Sequence, residues 1–93
     1  MVVKLLTIDL HLPGRSSLKE KRFVLSSVKT KLRRRFNVAV SEIDHHDKWQ
    51  RTCLAVVTVG VDGTAVEATC GQVLKLLEKD YRLQILDWTQ EIR

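Results

Sequence analysis

Cations are the residues of this sequence best placed to do chemistry. Arg15, Lys19, Lys21, Arg22, Lys29, Lys31, Arg33, Arg34 and Arg35 fall in one segment, and only Glu20 opposes them, so Arg15–Arg35 carries +8. The rest of the chain holds seven basic and ten acidic residues, a charge of −3, and the whole carries +5. A concentrated positive segment on a mildly acidic body attracts polyanions and speeds encounter with them. At about 100° per helical residue, Lys19, Arg22, Ser26, Lys29 and Arg33 form one stripe beside the apolar arc of a helix. Such a stripe can lie along a phosphate backbone, each contact releasing counterions. A solvated helix face is the simpler account, but such faces usually interleave glutamates that are missing here. Arg15, Lys19, Arg22, Lys29, Arg33 and Arg34 are therefore the candidate nucleic-acid-binding residues.

Other clusters carry less. Asp44-His45-His46-Asp47 has the composition of a metal site, but neighbouring side chains of an extended hairpin point apart and no third histidine or cysteine lies nearby. No metal site is expected there. Trp49 beside Arg51 could stack on a base; the expectation is that it lids the core. Cys53 and Cys70 are not spaced as a CxxC pair and read as small core hydrophobes, reduced in the cytosol. Acylphosphatase-like catalysis would need a phosphate-cradling loop after the first strand. Leu12-Pro13-Gly14-Arg15 supplies an arginine but no partner asparagine. No catalytic residue, cofactor or small-molecule substrate is expected.

The elements that must position the cations follow from periodicity. Val2–Leu12 reads as a strand with Leu6, Ile8, Leu10 and Leu12 inward and Thr7, Asp9 and His11 outward. Pro13-Gly14 ends it. Ser16 or Ser17 caps a helix to about Arg35, with Ser17 and Glu20 at capping-box spacing. Leu18, Leu25, Val28, Leu32 and Phe36 form its apolar stripe. Lys21 lies within that stripe, where it is expected to snorkel or to meet an acid such as Asp9 or Glu42. Asn37–Asp44 and Arg51–Val61 read as a hairpin around a polar loop. Asp62-Gly63-Thr64 opens a second helix to about Asp80, with Val66, Cys70, Val73 and Leu77 inward. Gly71 in its middle suggests close packing. Arg82–Ile92 is the last strand.

The order strand–helix–strand–strand–helix–strand is that of the ferredoxin-like split βαβ fold, an α+β two-layer sandwich on a four-stranded antiparallel sheet. One domain over residues 1–93 is expected. The third strand is apolar on both sides: Cys53, Ala55, Val57, Val59 and Val61 face one way and Leu54, Val56 and Thr58 the other. Leu54, Val56 and Thr58 are assigned to the open sheet face, where an apolar patch marks an interface. A homodimer through that face is the alternative to nucleic-acid binding. The longest uncharged apolar stretch, Thr52–Val61, is far short of the roughly 20 residues that span a bilayer. Met1–Leu12 is interrupted by Lys4 and Asp9 and lacks a secretory pattern, so a cytoplasmic protein with no membrane partner is expected.

Ser17-Leu18-Lys19-Glu20-Lys21-Arg22, Phe36-Asn37-Val38-Ala39-Val40-Ser41-Glu42-Ile43-Asp44 and Trp49-Gln50-Arg51 together resemble the YlxP-like family of small bacterial proteins. The resemblance runs over nearly the whole chain and is strongest from Ser17 to Leu54. It implies a ferredoxin-like fold. It also implies a role in ribosome maturation or translation, because genes of that family commonly neighbour those for translation initiation factors and a ribosome-binding factor. No catalytic residues come with it. The expected function is a non-enzymatic association with RNA or the small ribosomal subunit.

Overall fold

The computed structural model describes all residues, Met1–Arg93. Six elements follow one another: β1 (Val2–His11), α1 (Leu18–Arg35), β2 (Val38–Asp44), β3 (Arg51–Gly60), α2 (Gly63–Glu78) and β4 (Gln84–Ile92). The strands pair antiparallel in the order β2-β3-β1-β4. This is the ferredoxin-like arrangement, with β1 and β3 central.

Local chemistry accounts for the element ends. Gly14 takes φ +75° in the turn after β1, a left-handed conformation that favours glycine. Ser17 caps α1 by accepting from the Glu20 backbone N–H at 3.1 Å. The Glu20 carboxylate reaches back to accept from the Ser16 N–H at 2.9 Å, one residue earlier than the usual capping box. Those bonds to Ser16 hold the Glu20 carboxyl below its ordinary pKa. Asp62 caps α2 in the same way, accepting from the Ala65 N–H at 2.9 Å.

The core lies between the sheet and the helices. Leu6, Ile8, Leu10 and Leu12 are fully buried there, together with Val28 and Leu32 of α1 and Val73 and Leu77 of α2. Val24 and Leu74 join them. Leu18 is only half-buried and Phe36 packs at the rim. Gly71 is exposed, and a β-carbon built there meets nothing within 4 Å, so the expected close packing is absent.

The facing of β3 is the reverse of the sequence expectation. Leu54 pairs with Ile8 and Val56 with Leu6, and directly opposed residues share a face. Leu54, Val56 and Thr58 are therefore core residues under the helices, all buried. The open face carries Cys53, Ala55, Val57 and Val59 instead. Their partners on β1 are Asp9, Thr7, Leu5 and Val3. That face is apolar at one end, where Val57 and Val59 are 37% and 43% exposed. At the other end Asp87, Asp9, Cys53 and Asp44 succeed one another across the four strands.

Candidate functional site

Helix α1 sorts its charged residues by angle. Lys21, on the inward arc, is 1% exposed. It does not snorkel. Its Nζ lies 2.9 Å from Glu42 Oε2 and donates to the His45 carbonyl. Thr52 Oγ1 donates to the same Glu42 oxygen at 2.6 Å. Burial pushes the Glu42 carboxyl up, but the hydrogen bonds from Thr52 and Lys21 and the charges of Lys21 and His46 outweigh it, and the pKa is lowered. His45 sits at φ +63° and His46 Nε2 is 3.1 Å from the Glu42 carbonyl. The loop histidines thus serve a hairpin stapled by a buried ion pair.

The outward cations are different. Arg22, Ser26, Lys29, Thr30 and Arg33 line a hollow of about 320 Å³ beside β2, closed by Leu25 and Glu42. The stripe expected from helical spacing is therefore gathered into one concave surface, with Lys19 exposed one turn earlier on the helix. Arg33 spends one N–H on the Val40 carbonyl of the edge strand, at 3.0 Å; its remaining donors are free. Arg15 is half-buried in the loop, its Nε 3.4 Å from the Pro13 carbonyl. Arg34 is exposed. The ion pairs of Lys and Arg in the structure are Lys21–Glu42, Arg82–Asp80 and Arg93–Glu91. Every cation from Arg15 to Arg35 except Lys21 is thus without a carboxylate partner.

Sequence reasoning missed a second cationic hollow. Its walls come from opposite halves of the chain: Lys31 and Arg35 of α1, and Lys75 of α2 with Lys79 just beyond it. Helical spacing separates Lys31 and Arg35 from the first stripe, but nothing in the sequence says that α2 brings lysines to meet them. Phe23 was missed as well. It is 74% exposed on the solvent side of α1.

Other candidates resolve into structure. Trp49 is 52% exposed and does not lid the core. The Cys53 thiol is pushed up to about 11, by burial first and then by the Asp9 and Asp44 carboxylates. Burial also raises the Cys70 pKa. Neither offers a thiolate near neutral pH. No helix is long and apolar enough to cross a membrane.

The family model described as "Protein of unknown function (DUF503)" matches residues 3–90. The chain belongs to the DUF503 family. It is also 39% identical over 62 residues to the uncharacterized protein YlxP of Bacillus subtilis (strain 168), covering 67% of each chain. This DUF503 chain gives its most distinctive motif residues separable roles. Ser17 and Glu20 cap α1, and Lys21 and Glu42 staple the hairpin. Lys19 and Arg22 contribute to neither task.

Proposed function

We propose that this DUF503 protein is a non-enzymatic RNA- or ribosome-associated protein that binds through the outer face of α1. The observation that carries the reading is the set of unpartnered cations on one helix, gathered at a hollow lined by Arg22, Lys29 and Arg33. Apart from the Arg33 bond to the Val40 carbonyl, folding gains little from them, since exposed charges contribute little to stability. Phosphate groups are the partner that such an array suits, with arginine forks giving bidentate contacts. The two central strands carry no aromatic residue, so base-stacking on the sheet in the manner of the recognised RNA-binding form of this fold is not part of the reading.

The test is binding of the purified protein to small ribosomal subunits and to their isolated RNA over a salt series. Saturable binding near physiological salt is expected. Replacing Lys19, Arg22, Lys29 and Arg33 by Ala should flatten the dependence of log K on log salt by roughly 0.7–0.9 per lost contact. An unchanged slope removes this surface from the interface.

A second reading, a cytoplasmic homodimer through the open sheet face, is supported by a different observation. Val57 and Val59 are substantially exposed beside Val3 and Leu5. Leu54, Val56 and Thr58 have no part in it. A monomeric mass at micromolar concentration would refute this reading and leave the first intact.

A further inference from the structure

Two hollows, of about 340 and 410 Å³, lie between the C-terminal ends of α1 and α2 and share Arg35, Leu76 and Lys79. Together they form one groove with Leu76 and Phe36 in its lining and Lys31, Arg35, Lys75 and Lys79 as its cations. Its single acid is Asp80. Arg82 engages both oxygens of that carboxylate, through Nε on Oδ1 at 2.9 Å and Nη2 on Oδ2 at 2.8 Å. The charge of Asp80 is therefore met mainly by Arg82, with a weaker attraction from Lys31, and none of the four cations is in an ion pair.

We infer that this interhelical groove is a second nucleic-acid contact, holding successive phosphates of an RNA strand that crosses the C-terminal end of α1. The inference rests on the RNA reading of α1, but the groove's own cations, Lys31, Arg35, Lys75 and Lys79, are not those of that reading. Three details favour a phosphate backbone over a small anion. No residue of the first turn of either helix lines the groove, so the backbone N–H cradle of small-anion sites is missing. What remains is a set of long cationic side chains, which follow an extended backbone by charge. Finally, Arg33, Arg34 and Arg35 are consecutive and so point in three directions about 100° apart. Arg33 lines the hollow beside β2, Arg35 lines the interhelical groove, and Arg34 is exposed between them. The arginine triplet makes the two surfaces one continuous path. Favourable interaction with the helix dipoles accounts for cations in a last turn. It does not account for four of them, from two helices, converging on one groove.

The experiment measures binding of a fluorescein-labelled single-stranded RNA of mixed sequence to full-length protein, by anisotropy over a potassium chloride series. The variants are Lys75→Gln/Lys79→Gln, Lys31→Gln/Arg35→Gln and, for the other surface, Lys19→Gln/Arg22→Gln. Each groove pair should weaken binding and flatten the salt slope by about 1.4, two single-strand contacts at roughly 0.7 each. Melting temperatures should stay near that of the unaltered protein, which shows that the loss is not unfolding. A wild-type slope in both groove pairs, with loss in the Lys19/Arg22 pair, overturns the groove and leaves the first reading standing. Loss in the groove pairs alone supports the groove and removes the first surface. No saturable binding by the unaltered protein, even at low salt, refutes both.

Discussion

Removing Glu42 should damage this protein more than removing the lysine it holds. Lys21 Nζ has two oxygen neighbours, Glu42 Oε2 and the His45 carbonyl, and the residue is 1% exposed. In Glu42→Ala the ammonium keeps one carbonyl and loses its counter-charge, and the Thr52 hydroxyl loses its acceptor. Stranding one member of a buried pair costs about 3–5 kcal/mol. The Glu42 side chain is 15% exposed, so water reaches that end and the lower figure applies, about 3 kcal/mol. A domain of this size loses about 4–8 °C per kcal/mol, so the melting temperature should fall by ~12–24 °C. Lys21→Met keeps the stem and removes the charge. Its cost should be smaller, about 1–2 kcal/mol, because the carboxylate retains Thr52 and some water. The double variant should be more stable than Glu42→Ala alone, since no cation is left buried. Urea unfolding of the four proteins at neutral pH measures this cycle. Additive losses, or a Glu42→Ala loss under about 1 kcal/mol, would refute the argument and mean that Lys21 reaches solvent. The pH dependence has a definite sign. The folded-state pKa of Glu42 is lowered from 4.5, so its contribution is complete above that value and is lost as pH falls through the folded pKa. The stability gap between the natural protein and Glu42→Gln should close in that acid range.

Two further outcomes test the placement of β3 and α2. Leu54→Ala should cost about 2–5 kcal/mol as a core truncation, while Val57→Ala on the open face of a monomer should cost less than about 1 kcal/mol; the reverse ranking in chemical denaturation would overturn the facing described for β3. Gly71→Ala should stabilise by roughly 0.5–1 kcal/mol, because the position is exposed within a helix with room for a methyl group, and a lower melting temperature would contradict that.

Sequence alone yields the fold because its signals agree. The alternation of Leu6, Ile8, Leu10 and Leu12, the caps at Ser17 and Asp62 and the stripe Val66, Cys70, Val73 and Leu77 all stand in the structure as read. It misleads at β3, where hydropathy is nearly equal on the two faces and the choice passes to the register with β1. Thr58 looks like a surface residue, yet its hydroxyl is buried and donates to the Asn37 carbonyl at 2.8 Å. Lys21 is half legible: the sequence offers snorkelling or an acid such as Asp9 or Glu42, and the fold selects Glu42, which arrives from an element twenty-one positions away. The α1 stripe was legible because one helix contains it. The interhelical groove was not, because no local pattern reports which flank of α1 meets α2.

The two threonines of β3 do more than satisfy themselves. A strand with apolar residues on both faces could slide by one position and still bury comparable hydrocarbon. Thr52 and Thr58 stand near opposite ends of β3 on the buried side, one bonded to Glu42 and the other to the Asn37 carbonyl. A one-residue slip would turn both hydroxyls outward, deprive Glu42 of a donor, and leave Arg51 or Cys53 in the place of Thr52 and a valine in the place of Thr58. Hydrogen bonds of modest individual strength thus act as a parity check on the pairing of β2 with β3, where the greasiness of the strand is indifferent to the answer.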